Sequence, residues 1–431
     1  MWKLLAVICI VFIEEEALAR PKIQEHQTDN PLRYPVLVEA ISDFSRRLMT
    51  EMTQLNSDVN IVMSPLSISS VMGMLWLGAG GETRREIEQT CRFGDDTGRL
   101  FKYINYQAFS SPIGLREKGK ADVMLANALF YEKSEKLKSE FMNNALEYHQ
   151  ADILGLNFKF SPEKSLKTIN QWVHNKTRGV IKQLLSPNDV SVTTRAVLTN
   201  AIYFSGSWRY PFHTSATILD NFTTLSGNRV KVPTMHQEVR LRYMKKCQSS
   251  SGDLSAFGQI CTRAEQPNVI EIPYANGKYV MIILVPNDDF SFKDIEENLE
   301  NEYDSWRRGV VSGLIELCLP KFQMNFQSDL ELSLRRLGIT AAFQWSRANF
   351  ENLSEDRLSF SKFIHKAAVV VDEKGTKAAA SSASIAILRK ASDLAYFKID
   401  RSFLFFVEDT STSAQLFAGR IIDPTKSNNV L

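Results

Sequence analysis

Cysteine is scarce, with five residues among 431, and no Cys-x-x-Cys or closely spaced Cys/His set occurs. A zinc module built from local ligand pairs is therefore not expected, and the spacing suggests no metal site. Histidine is sparse too. The six residues, at 26, 149, 174, 213, 236 and 365, form no His-Glu-x-x-His. The chain lacks a Gly-x-Ser-x-Gly elbow and a Gly-Asp-Ser-Gly segment, so nothing suggests a hydrolase, and it is not expected to be an enzyme. An excess of one charge is also missing. The 51 basic and 49 acidic residues leave a formal charge of +2, which gives no ground for a nucleic-acid partner. No apolar run reaches the ~18 residues that span a bilayer, so no membrane anchor is expected. The chain has no Gly/Ser/Pro linker and no internal repeat. It also lacks the strand–helix alternation of a doubly wound sheet.

What remains is an ordinary globular composition, 44% hydrophobic and 23% charged, on a chain long enough for a sizeable core. The start of the chain reads as a leader. Lys3 precedes an apolar run over residues 4–13, and Ala17-Leu18-Ala19 supplies small residues for a signal peptidase. Residues 1–19 are expected to be a signal peptide, 20–33 a polar extension with Pro21 and Pro31, and 34–425 one domain, secreted to the extracellular space. Asn175, Asn221 and Asn352 each begin an N-glycosylation triplet. Cys9 leaves with the leader. Cys91 and Cys318 lie in apolar segments and read as buried thiols. Cys247 and Cys261 flank a polar insert, and a disulfide between them would add ~3 kcal/mol on the loop-entropy argument.

Apolar periodicity predicts a helix over 34–52, a short strand over 59–63 and a helix over 66–77 with Ser64-Pro65 at its start. The last is apolar nearly all round and should be central. A charged helix over 82–90 and an amphipathic one over 166–183 follow. Strands are expected over 123–131, 196–204, 280–285, 314–326, 367–372, 396–399 and 403–407.

One stretch breaks the compact pattern. After the strand ending at Asp372 come Glu373-Lys374-Gly375-Thr376-Lys377 and the run Ala378-Ala379-Ala380-Ser381-Ser382-Ala383-Ser384. Ile385-Ala386-Ile387-Leu388 and Arg389-Lys390 then follow. At two-residue spacing Thr376, Ala378, Ala380, Ser382, Ser384 and Ala386 share one face, and all are small. Such a face could slide into a tight slot in a sheet, where a charged side chain would be buried unpaired. Lys377 falls on the opposite face. A flexible Ala/Ser linker has the same composition, but too little chain follows to form a second domain.

Several motifs in register now point one way. Glu-x-Gly-Thr-x-Ala-Ala-Ala stands at Glu373 to Ala380, and Asn-Ala-x-Tyr-Phe-x-Gly-x-Trp at Asn200 to Trp208. Ser-Pro-x-Ser-Ile stands at Ser64 to Ile68, and a closing Phe-x-Ile-Asp-Arg-x-Phe-Leu-Phe segment starts at Phe397. With these motifs the chain resembles the serpin family from about Tyr34 to Pro424. The resemblance implies an α+β fold, helices around three β-sheets, with an exposed reactive-centre loop over about 373–392. It implies inhibition by a suicide-substrate mechanism. A serine protease attacks the bait carbonyl and becomes an acyl-enzyme, and the cut loop then inserts into the main sheet and distorts the protease. The family's hinge-to-bait distance, counted from Glu373, lands on Arg389, which makes Arg389-Lys390 the reactive bond. Lys390 is the alternative bait. Either basic residue suits a trypsin-like protease, the expected partner of a monomer. Glu373, Gly375, Thr376, Ala378, Ala379 and Ala380 would form the hinge. Ser64, Ser67, Asn200, Trp208 and His365 match the region where the main sheet opens. Some family members are non-inhibitory and carry bulky or charged hinge residues, unlike the small face here. Several members use a glycosaminoglycan cofactor, for which Arg116, Lys118 and Lys120 are the candidate contacts. Ser402 stands where the family usually has proline.

Overall fold

The computed structural model describes residues 34–109, 122–245, 266–275, 277–373 and 395–426. The helical first part contains α1 (Tyr34–Leu55), a short β1 (Ile61–Met63), α2 (Pro65–Gly78), α3 (Gly81–Cys91) and α4 (Thr97–Phe109). There follow β2 (Asp122–Glu132), α5 (Ser139–His149), β3 (Ala151–Leu156), α6 (Pro162–Lys176) and β4 (Ala196–Ser205). The strand-rich part contains β5 (Thr217–Thr223), β6 (Arg229–Met244), β7 (Asn268–Pro273) and β8 (Tyr279–Val285). Next are α7 (Phe292–Arg308), β9 (Val311–Pro320), β10 (Phe322–Asp329), α8 (Glu331–Arg336) and β11 (Lys362–Val371). The last elements are β12 (Ala395–Lys398), β13 (Phe403–Asp409) and β14 (Gln415–Ile421).

The sequence explains the central helix directly. Ser64 is extended and Pro65 opens α2 with a preset φ and no amide to satisfy. Every residue of α2 except Leu77 is buried, as expected for a helix apolar all round. Its middle is crowded. A Cβ on Gly73 would lie 2.7 Å from the Phe101 ring and 2.8 Å from the His149 ring, so only glycine lets α2 approach both.

The strands pair into two networks. A five-stranded sheet has the order β10-β11-β4-β2-β3, and the other nine strands join in a second network. Among the described residues, hydrogen bonding joins the three sheets implied by resemblance into two networks. The reason is β6, which pairs with β5 over its first half, with β9 from Thr234 to Tyr243, and with β7 at its end. One long strand therefore runs through what would otherwise be separate sheets.

Two expected elements differ. The helix expected over 166–183 starts earlier and stops at Lys176, where the Thr177 hydroxyl donates to the Val173 carbonyl. The strand expected over 314–326 is two strands. β9 ends at Pro320; the Lys321 amide still donates to the Pro233 carbonyl, and the chain then crosses into β10 of the other sheet. Helices α4, α5 and α7 go beyond the elements expected from periodicity. For α7 the signal is present in Ser291, whose side chain accepts from the Asp294 amide, and in the buried row Ile295, Leu299, Tyr303 and Trp306.

Candidate functional site

In the five-stranded sheet β11 and β4 run parallel, from Lys362 opposite Val197 to Val369 opposite Phe204. Their outer neighbours, β10 and β2, are antiparallel to them. This seam is one of two parallel pairs in the sheet, the other being β2 with the edge strand β3, and parallel pairing is the slightly weaker kind. Register places His365, Asn200 and Asn127 side by side on three successive strands.

These residues meet the start of α2 in a buried polar chain. The Ser64 amide donates to His365 Nε2 at 3.2 Å, so that nitrogen is unprotonated. His365 Nδ1 carries the proton and donates to Asn200 Oδ1 at 2.6 Å. Ser67 Oγ donates to the same oxygen at 2.9 Å, and Asn200 Nδ2 donates to Asn127 Oδ1. The chain continues through Asn127 Nδ2 to the His149 carbonyl, and through His149 Nδ1 to Ser70 Oγ, to which Asn105 also donates. Burial pushes both His365 and His149 down to about 3, so both are neutral at physiological pH. Four of the five residues matched by resemblance to the sheet-opening region thus share this neighbourhood. His149, Ser70 and Asn105 go beyond the sequence expectation, because nothing in their local spacing marks them.

Trp208, the fifth, lies beyond the end of β4. Its Nε1 donates to the Asp372 carbonyl at 2.8 Å, and its ring stacks on Tyr274 with centroids 4.5 Å apart. Gly206 admits that stack, since a Cβ there would lie 2.6 Å from Tyr274.

Glu373 follows directly and is held from three sides. Thr217 Oγ1 donates to its Oε1 at 2.8 Å, Lys321 Nζ reaches its Oε2 at 2.7 Å, and its carbonyl accepts from the Phe212 amide. Burial works to raise the Glu373 carboxyl, but the Lys321 and Thr217 hydrogen bonds outweigh it and hold the group below the usual carboxylate range. Lys321, at the crossing between β9 and β10, was not expected from sequence.

The chain is next described at Ala395, where β12 begins and pairs parallel with β9. On the strands beside β12 a second cluster forms. His236 on β6 lies directly opposite Cys318 on β9, with Nδ1 3.2 Å from Sγ, and Glu316 sits two residues before Cys318. The sequence has no local metal-ligand spacing, yet tertiary pairing brings these ligand types together. Cys318 and Cys91 are unbonded and buried, as their apolar settings suggested. Burial pushes the Cys318 thiol up to about 11, the opposite of an activated nucleophile.

Asn175, Asn221 and Asn352 are all exposed. The Asn352 side-chain amide donates to the Ala79 carbonyl, however, so it is engaged in the fold. Gly375, Thr376, Ala378, Ala379, Ala380, Arg389, Lys390, Cys247, Cys261, Arg116, Lys118 and Lys120 lie outside the described residues. Among the described residues no helix is long and apolar enough to cross a membrane.

A fold with this seam and this buried polar chain matches a known family. The sequence model of the serpins, described as serine protease inhibitors, matches residues 39–424. The chain belongs to the serpin family. Among its relatives, human glia-derived nexin is 33% identical over 401 residues, covering 92% of this chain and 94% of the relative. Serpin B6 of Pongo abelii is 33% identical over 90% of this chain and all of the relative. Human neuroserpin is 31% identical over 90% of this chain and 92% of the relative. The crystal structure of native protease nexin-1 with heparin superposes with a TM-score of 0.78 at 32% identity, covering 91% of this chain and all of that one.

Proposed function

We propose that this serpin is a secreted suicide-substrate inhibitor of trypsin-like serine proteases with Arg389 as its bait. The protease serine Oγ attacks the Arg389 carbonyl carbon. The Arg389–Lys390 peptide bond breaks, Lys390 leaves as the new amine with the proton taken from the serine, and Arg389 stays on the protease as an ester. The freed segment from Gly375 to Arg389 then enters the sheet between β11 and β4, carrying the protease with it.

The parallel seam is the observation that carries this reading. A segment that reverses after Glu373 runs antiparallel to β11, and therefore antiparallel to β4 as well. Insertion would replace one parallel ladder by two antiparallel ones, which is favourable in direction and in number of hydrogen bonds. The small residues Thr376, Ala378, Ala380, Ser382, Ser384 and Ala386 would face the tight side of that slot. Ser64, Ser67, Asn200 and His365 would act as its latch, because their hydrogen bonds bridge the seam and α2. Export rests on the leader at residues 1–19. Glycosylation at Asn175 and Asn221 would follow from it.

Incubation with trypsin should yield a covalent complex that survives boiling in detergent. Arg389→Ala should abolish the complex, while Lys390→Ala should retain it. Appearance of cleaved chain alone, with no complex, would sink the inhibitory reading. The reverse pattern between the two variants would move the bait to Lys390.

A further inference from the structure

Among the groups outside the proposed inhibitory site, His236, Glu316 and Cys318 have a geometry that hydrogen bonding alone does not account for. An imidazole, a carboxylate and a thiol present ligand atoms that all lie within 4.8 Å of one another. Around a tetrahedral zinc ion with bonds of ~2.0–2.3 Å, ligand atoms would sit ~3.5 Å apart, so modest side-chain rotation closes the set. The backbone fixes the arrangement. His236 and Cys318 are direct partners across β6 and β9, and Glu316 shares the Cys318 face at two-residue spacing. A site mounted on paired strands is held more tightly than one on loops.

The imidazole is not committed elsewhere. His236 Nδ1 meets only the weak thiol, and Nε2 is buried with no hydrogen-bond partner. Nδ1, the nitrogen facing the thiol, is therefore free to take a cation in place of that weak contact. Charge also balances, since a thiolate, a carboxylate and a neutral imidazole cancel the two charges of the ion. The Lys398 ammonium, on the strand beside it, is paired with Asp220 at 2.6 Å and does not oppose it uncompensated. His236 and Glu316 are half-exposed while Cys318 is buried, which leaves an approach from solvent.

We propose that His236, Glu316 and Cys318 bind a zinc ion on the nine-stranded network, on the strand pair beside β12. The mixed sulfur, nitrogen and oxygen set suits zinc, whereas magnesium and calcium prefer oxygen alone. The Tyr396 hydroxyl, from the strand residue paired with Glu316, or a water completes the fourth position. Tyr396 lies on β12, the first described strand after the loop, so the ion also braces the strand to which the loop returns. That last consequence rests on the inhibitory reading. Zinc binding does not.

The full chain, stripped with a chelator, is titrated with Co²⁺ and with Zn²⁺ and needs no protease. Wild type should take up one Co²⁺ with a thiolate-to-cobalt charge-transfer band, which Zn²⁺ displaces. Cys318→Ser should lose the band, and His236→Ala and Glu316→Gln should weaken binding. A variant with both Cys247→Ser and Cys261→Ser should keep it. Zn²⁺ should raise the thermal midpoint of wild type and leave that of His236→Ala unmoved. His236 is half-exposed, and equal midpoints of the two proteins in chelator would show that the variant folds. Absence of the band in wild type, or its persistence in Cys318→Ser, would overturn the proposal.

Discussion

His365 combines three constraints in one side chain. It is fully buried, it donates from Nδ1 to Asn200, and it accepts at Nε2 from the Ser64 amide. Protonating Nε2 would set two donors against each other, so the ring must stay neutral for the seam to stay latched. Unfolded histidine titrates near 6.5, whereas His365 and His149 titrate at about 3 in the fold. Between these values the unfolded chain binds more protons than the folded one, so stability rises with pH there and falls on acidification. The slope is about 1.4 kcal/mol per pH unit for each histidine. Denaturant midpoints measured from pH 7 to 5 should therefore fall. In His365→Gln, which does not titrate in this range, about half of that slope should vanish. Equal slopes in the two proteins would mean that the latch is not pH-sensitive.

Among the elements, β11 is the one that the proposed insertion must part from β4. Its parallel pairing with β4 closes the seam, and Glu373 fastens its end to Thr217 and to Lys321 at the β9–β10 crossing. Glu373→Ala removes both side-chain bonds and leaves Lys321 without its ion pair, at a cost of about 1–3 kcal/mol. The anchor lies at the start of the hinge, so this cost should appear as a lower barrier to spontaneous insertion. Inhibitory activity on standing should decay roughly fivefold faster for each kcal/mol lost. Glu373→Gln keeps the Thr217 contact and should fall between the two. Unchanged decay in Glu373→Ala would show that the anchor does not control the hinge. The carboxyl is held below its unfolded value, so its contribution is present above about pH 4.5 and lost as pH falls through the folded value.

On the scale of the whole molecule, the active fold is read as kinetically trapped, with its five-stranded sheet one strand short of the most stable pairing. Thr376→Arg would bury a charge on the small face of the hinge. That variant should still be cleaved by trypsin after Arg389 but should form no detergent-stable complex. Calorimetry gives an independent readout. Wild-type chain cut in its loop by a protease it does not trap should melt at a higher temperature than intact chain. Cut Thr376→Arg should show little of that rise. A full complex yield from Thr376→Arg would refute the need for a small-residue face.

Much was legible without a structure. Local order supplies the central helix opened by Ser64-Pro65 and the main apolar strands, because each depends on residues adjacent in the chain. Local order also misled where a break depends on tertiary pairing. Residues 314–326 look like one strand until Pro320 and Lys321 hand the chain from one network to the other. Only the tertiary structure decided the neutral tautomer of His365, the union of two sheets through β6, the Lys321 clamp on Glu373 and the meeting of His236 with Cys318. These groups are distant in sequence, and strand register sets their separations. Register follows from how the whole core packs, so no local spacing could have announced them.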